Sequence, residues 1–366
     1  MLRRTVLLGL GAMGWAQRPG PDEARRIHER LLLIDTHNDA ALRVIAGADF
    51  GRRSNKGHTD LPRLREGGVG AVFFAAYVSP RYVPLNQAAR RALELIDVIR
   101  RDIAGRHPDQ LALALSADDI EAARRQGKIA VLIAVEGGHA IEDNLRVLRA
   151  FYDLGVRYMT LTHTNTNNWA DSSGDLINPN VKRHGGLTDF GRQVIAEMNR
   201  LGMIVDVSHV SDETFWDVLR TSRAPVMASH SSCRALCDHH RNLSDEMIRA
   251  LAAKGGLIQI NFAPEFLTRR KSPPAGLEDA VAHIEHAARV GGVDAVGIGS
   301  DFDGIDSVPA GLEDVSKFPA LTRALLARGF RVEDIAKIYG GNVLRLMRAV
   351  EAAAREAQRP PPPAPR

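Results

Sequence analysis

Between Leu31 and Asp303 the sequence switches again and again from a short apolar, β-branched run to a longer amphipathic stretch, and this alternation limits what the chain can fold into. A run apolar on both faces suits a strand packed on one side by helices and on the other by interior side chains. The amphipathic stretch that follows supplies the covering helix of a parallel βα unit. Eight runs are read: LLLIDTHND (Leu31 to Asp39), VGAVFFAAYV (Val69 to Val78), IAVLIAVEGG (Ile129 to Gly138), RYMTLTH (Arg157 to His163), MIVDVSH (Met203 to His209), PVMASHS (Pro225 to Ser231), GLIQINF (Gly256 to Phe262) and AVGIGSDFD (Ala295 to Asp303). Helical patterns lie between them, at 86–103, 143–154, 187–201, 211–221, 244–254 and 278–289, with Ser211 and Ser244 placed as N-caps before acidic turns. A last helical stretch, 332–357, is expected to pack across the barrel. An open doubly wound sheet would alternate similarly. The count of eight and the polar chemistry at the run ends favour an α/β fold of the (β/α)8 TIM-barrel type, which a chain of 366 residues accommodates as one domain.

Six of the eight runs end in a metal-ligand or acid–base residue: His37 and Asp39, Glu136, His163, His209, His230 and Asp301. Barrel enzymes gather catalytic groups where strands end, because loops from distant parts of the chain converge at that mouth. Singly, each residue has an ordinary explanation: a histidine at a strand end is commonly just hydrogen-bonded, and Glu136 before two glycines could serve a turn. Together they form a pattern that random placement rarely gives. His37 and Asp39, two apart on a strand, should face the same way and grip one ion. Three histidines, one aspartate and one glutamate exceed the needs of one tetrahedral ion, so a dinuclear centre is expected, with Glu136 as the bridge. A hydroxide between ions roughly 3.5 Å apart is the nucleophile of such hydrolases.

At these residues the sequence resembles the membrane (renal) dipeptidase family, through IDTHNDA, AVEGGHAIE, LTHTNTNNWAD, DVSHVS, SHSSCRALCDHHRN and GIGSDFDG, in order from Leu31 to Met347. The resemblance implies a zinc-dependent dipeptidase on an amidohydrolase-like barrel, acting on dipeptides that include those with a C-terminal D-residue. It implies that His37, Asp39 and Glu136 hold one zinc and that Glu136, His209 and His230 hold the other. It further implies that His163 polarises the scissile carbonyl, Arg241 binds the substrate's terminal carboxylate and Asp301 handles protons. An arginine matches a carboxylate by its bidentate fork. Asp301 beside two dications should have a depressed pKa, with Asp303 as the competing residue. His139 is a candidate support for Glu136. The chain departs from the mammalian pattern at Ala263-Pro264-Glu265, where a bulkier aromatic is expected, so side-chain preference stays open. An N-acyl-amino-acid deacylase or lactonase on a related barrel is the alternative, although such folds often begin with His-x-His and carry a bridging lysine.

The remaining features bound partners and location. Arg3 and Arg4 precede an apolar stretch and the small residues Gly14 and Ala16, which reads as a signal peptide over 1–16 and an exported, periplasmic or extracellular protein. Its removal deletes two arginines and no acid, so the formal charge falls from +4 to +2, which offers nothing for nucleic acid. The dipeptidase domain is set at 17–357 and a disordered Pro-rich tail at 358–366. Neither a membrane span nor a lipid-anchor signal is read, and a homodimer is compatible with the sequence. Cys233 and Cys237 are read as either bonded or free. His283 and His286 are assigned to a solvated helix face, and His28, His58, His107 and His184 are likewise left out of the site.

Overall fold

The computed structural model describes residues 20–359; the expected signal at 1–16 and residues 360–366 of the tail lie outside the described residues. Among the described residues nine parallel strands form: β1 (Leu33–Asn38), β2 (Val69–Tyr77), β3 (Leu111–Leu113), β4 (Ile129–Glu136), β5 (Val156–Thr160), β6 (Ile204–Asp206), β7 (Met227–Ala228), β8 (Leu257–Ile260) and β9 (Val296–Ile298). Eight of them, all but β3, close a barrel, with β1 paired to β9 on one side and to β2 on the other, and β2 paired to β4. These are the eight runs read from the sequence. The short β3 was not among them; it lies beside the first residues of β4, on the edge that β5 takes over further along.

The ladder is uneven. Seven residue pairs join β2 to β4, from Ala71–Ala130 to Tyr77–Glu136, whereas one pair joins β1 to β9 and one joins β6 to β7. Buried aspartates reinforce both thin seams. Asp35 of β1 accepts bonds from the backbone N–H (2.8 Å) and hydroxyl (2.6 Å) of Ser300, just past β9. Asp206 of β6 accepts from the N–H (2.8 Å) and hydroxyl (2.6 Å) of Ser229, just past β7. Such side-chain bonds satisfy backbone groups that the short ladders leave over.

Alternate strand residues face opposite ways, which divides the apolar core in two. Val72, Phe74, Val131, Ile133 and Val135 join the cluster beneath the outer helices, while Ile34, Phe73, Leu132, Tyr158, Ile204 and Leu257 join a second cluster. The second cluster also takes Ile120 and Ala123 from the helix Ala117–Arg125 and Val343, Leu346, Met347 and Val350 from the helix Asn342–Ala357. These two helices form the barrel's floor. The C-terminal helix thus packs across the barrel as expected, contacting β8 and β9. Ser211 and Ser244 are N-caps, accepting from the N–H of Thr214 and Met247. Among the described residues no helix is long and apolar enough to cross a membrane.

The outer-helix histidines correct the sequence reading. His283 and His286 are buried, because the helix Leu277–Gly291 turns that face, with Ala280, Ile284 and Ala287, toward the barrel. His28 is buried as well, hydrogen-bonded to Thr322 Oγ1 (2.7 Å) and donating from Nε2 to the Gly67 carbonyl (2.8 Å). Cys233 and Cys237 are free thiols, both buried.

Candidate active site

All eight singled-out residues meet at the mouth where the strands end. Asp39, Glu136, His163, His209, Arg241 and Asp301 line a cavity of about 300 Å³, together with Leu42, Tyr77, Phe266 and Glu265. His37 and His230 lie fully buried beneath it. Larger hollows exist beside residues 43–56 and between the helices 189–201 and 342–357, but they hold none of the clustered ligand groups.

The way each residue arrives differs from the sequence expectation. Only His37, within β1, and Glu136, the last residue of β4, belong to strands. Asp39 lies past the end of β1 with φ −99° and ψ 17°, at the start of the helix Ala40–Ile45, so it reaches His37 by a turn of the chain and not by strand alternation. His163, His209, His230 and Asp301 all follow their strands by two or three residues. His209 (φ 69°) and Asp301 (φ 63°) adopt left-handed backbone, which turns their side chains into the mouth. Non-glycine residues held there are uncommon and concentrate where the surrounding structure enforces them.

Glu136 is the hub. Its Oε2 stands 3.6 Å from His37 Nε2, and its Oε1 stands 3.1 Å from His209 Nε2, 3.5 Å from His230 Nε2 and 3.7 Å from His163 Nε2. The two oxygens therefore serve two ligand sets. His37 Nε2 is also 3.3 Å from Asp39 Oδ2 and 3.9 Å from Asp301 Oδ1. His209 and His230 bring their Nε2 atoms to 2.8 Å.

Hydroxyl relays fix which nitrogen of two histidines is bare. Tyr158 donates its hydroxyl to the Thr36 carbonyl (2.9 Å), so at its contact with His37 Nδ1 (2.7 Å) the histidine must be the donor. Ser229 likewise donates to Asp206 (2.6 Å) and receives from His230 Nδ1 (2.7 Å). In the neutral form of each ring Nε2 then keeps its lone pair, facing Glu136, and is the nitrogen a cation would take. Ligating histidines are held in one tautomer by this kind of partner.

With the protein's own groups alone, burial works to lower His37, but Tyr158, Glu136 and Asp39 outweigh it and raise the imidazole well above its ordinary value, so a cation at Nε2 would take the place of a proton. Burial alone would lift Glu136, yet the imidazoles of His37, His163 and His209 packed around it hold it well below the usual carboxylate range. Burial drives His209 and His230 far below the ordinary imidazole value, with Arg241 adding to both and His37 to His230, so both rings stay neutral. Burial also lowers His163. Burial pushes Asp301 up to about 7, with Asp39 and Glu136 adding and His37 opposing, although its carboxylate keeps 14% exposure and some screening. That direction is opposite to the sequence expectation, because burial outweighs the attraction of His37; a depressed value requires the cations themselves. Asp303 is taken up elsewhere, accepting from His58 N–H (2.7 Å) and pairing with Arg43 (3.4 Å). His139 does not hydrogen-bond Glu136; its Nε2 donates to the Val78 carbonyl (2.9 Å).

The residues fit metal ions. His37 Nε2 and Asp39 Oδ1 are buried with no hydrogen-bond partner, a costly state for a nitrogen lone pair and a carboxylate oxygen unless a cation satisfies them. Ligand atoms of His37, Glu136 and His230, of Glu136, His163 and His209, and of His37, Asp39 and Asp301 gather within 4.8 Å in each group.

The model of the membrane dipeptidase family, peptidase family M19, matches residues 21–361. The chain belongs to this family. It is 41% identical over 341 residues to the dipeptidase aclJ of Aspergillus oryzae, covering 89% of this chain and 80% of that protein. Its fold is similar to that of the probable dipeptidase PvdM of Pseudomonas aeruginosa, with a TM-score of 0.84 and 28% identity over 91% of this chain and 99% of that one. A metallopeptidase of Rhodobacter sphaeroides, solved with a phosphinate mimic of the dipeptide L-Ala-D-Ala, matches with a TM-score of 0.80 and 29% identity, covering 87% of this chain and 99% of that one. The protein is accordingly a metal-dependent peptide hydrolase of the TIM-barrel type, and its reaction is the hydrolysis of dipeptides.

Tyr158, Ser229 and Asp206, which orient His37 and His230, were missed by sequence reasoning, as was Thr160, whose hydroxyl donates to Asp206 (2.6 Å). Tyr158 falls inside the run RYMTLTH and reads as core, and Ser229 stands one place before His230 with only a generic polar signal.

Proposed function

We propose that the centre holds two zinc ions, one by His37, Asp39 and Glu136 and the other by Glu136, His209 and His230. The supporting observation is that the two oxygens of Glu136 face different ligand sets. When bound, the ions supply Lewis acidity toward the scissile carbonyl and make a water nucleophilic at neutral pH.

The chain's own residues do the rest. Asp301 has Oδ2 engaged by the Asn261 amide (2.9 Å), which leaves Oδ1 free to take a proton from the attacking water and return it to the leaving amine. His163, 17% exposed at the side chain and tilted against the Tyr77 ring with centroids 4.6 Å apart, offers an N–H to the oxyanion that develops on the carbonyl. Arg241 keeps its charge at neutral pH although burial lowers its pKa to about 10, and its Nε has no partner. Its guanidinium receives the substrate's C-terminal carboxylate. A substrate whose C-terminus meets this arginine with its scissile bond at the ligand cluster has a single residue beyond that bond, which can be a D-residue. The neighbour solved with an L-Ala-D-Ala mimic supports that last point.

The test is a comparison of free dipeptides with their C-terminal amides and with tripeptides. Dipeptides alone should be turned over efficiently; equal kcat/KM for acid and amide would remove Arg241 from the account. We also propose that the chain is exported by its first 16 residues, as Arg3 and Arg4 before the apolar stretch suggest. Fractionation of cells producing the full chain should find a shortened protein outside the cytoplasm, and a full-length cytoplasmic product would refute it.

A further inference from the structure

The guanidinium of Arg241 is held by loops that come from two different strands. Its Nη2 donates to the His230 carbonyl (3.1 Å), and it stacks over the ring of Phe266 at 5.3 Å. Arg241 belongs to the segment after β7 and Phe266 to the segment after β8, so the shape of the carboxylate pocket depends on the register between those segments. Asn242 makes one tie across them, donating its amide to the carbonyls of Cys237 and Phe266 (both 2.8 Å) while accepting from Ser232 N–H (3.1 Å). The Cys237 thiol donates to the Glu265 carbonyl (3.2 Å) and makes another.

A third tie comes from outside the mouth. His283, on the helix Leu277–Gly291, is 1% exposed and accepts at Nδ1 from the Cys233 N–H (3.0 Å). Its Nε2 donates to the Leu267 carbonyl (3.0 Å). One imidazole thus grips the first turn of the Arg241 segment and the end of the Phe266 segment at once, using both nitrogens in a single neutral tautomer. Nothing else in its position demands a histidine; a leucine would fill the same buried helix face. We propose that His283 is a positioning residue for substrate-carboxylate recognition, fixing the Arg241 and Phe266 segments against each other.

This inference rests on the assignment of Arg241 to the substrate carboxylate, and the experiment separates the two. His283→Leu should raise KM for dipeptides about tenfold, the scale of one lost hydrogen bond to a binding wall, while kcat stays within about twofold. Preference for dipeptide acid over amide should shrink in parallel. His283→Gln offers an acceptor and a donor and should restore most of the KM. His283→Asn keeps the acceptor near Cys233 and loses the reach to Leu267, so an intermediate KM is expected; this variant carries the test if His283→Leu does not fold. Unchanged KM and acid-to-amide preference in soluble His283→Leu or His283→Asn, whatever their melting temperature, would overturn the proposal. Arg241→Met, measured beside them, reports on the arginine alone: retained acid preference there defeats the carboxylate assignment and not the loop tie.

Discussion

At the floor of the barrel, Ile34, Phe73, Leu132, Ile204 and Leu257 meet Leu346, Met347 and Val350 of the closing helix in a cluster made of hydrocarbon. At the mouth, less than one strand's length away, Glu136, Asp39, Asp301 and four histidines crowd together, with buried atoms left unsatisfied by the protein. The floor gains from burial at roughly 25 cal/mol per Å² of apolar surface, so every side chain there favours folding by itself. The mouth loses by burial unless something else arrives, since each buried polar atom without a partner costs about 1–3 kcal/mol. Stability and function are therefore assigned to opposite ends of the same strands, a division common to barrel enzymes.

That division can be broken by substitution. Glu136→Gln keeps shape but removes the charge that faces both ligand sets, and kcat/KM for a dipeptide should drop by about 10³ or more, as when a member of a concerted unit is lost. Its metal-free melting temperature should hold steady or rise, which calorimetry would read; a large fall would mean that the mouth also stabilises the fold. Leu346→Ala at the floor should do the reverse. Urea denaturation should show a loss of about 2–5 kcal/mol, with kcat/KM of the folded protein changed by less than about twofold.

Smaller effects sharpen the contrast at its boundary, where the hydroxyl relays lie. Tyr158 belongs by position to the floor cluster, yet its hydroxyl serves His37. Tyr158→Phe should weaken metal retention by about 10–100-fold in a chelator competition, with little change in melting temperature. If retention is unaffected, the tautomer of His37 does not depend on the relay. The smallest effect is that of pH. His28, below the barrel, and His283, beside the mouth, are both lowered from the ordinary imidazole value by burial, opposed in part by their hydrogen bonds to carbonyls. Each takes up a proton more readily unfolded than folded. Their contribution is therefore fully present above the unfolded value near 6.5 and is lost as pH falls below it. Denaturant midpoints should fall between pH 7 and pH 5, and the fall should be smaller in His283→Gln; a midpoint flat over that range would contradict the assignment.

How much of this could be read from the chain follows the same division. Strands covered on both sides leave continuous apolar runs, so all eight barrel strands were legible, as were the N-caps Ser211 and Ser244. The short β3 and the helix Ala117–Arg125 were not, because an alanine-rich stretch carries little periodic contrast. At the mouth the residue types were legible and their placement was not. Asp39, His209 and Asp301 arrive by turns and left-handed backbone, which alternation along a strand does not encode. His283 was misassigned to solvent because its partners, the Cys233 N–H and the Leu267 carbonyl, are backbone atoms and leave no mark in the sequence. Asp35 and Asp206 were passed over for a related reason: their work is to close thin seams that exist only once the barrel has formed.

The central claim is that Glu136 unites two ligand sets, and metal content tests it most directly. Protein purified without added metal and analysed by plasma emission should carry about two zinc ions per chain in the wild type. Glu136→Gln should retain one or none. An active wild type with a single ion per chain, or a Glu136→Gln variant that keeps both, would contradict it.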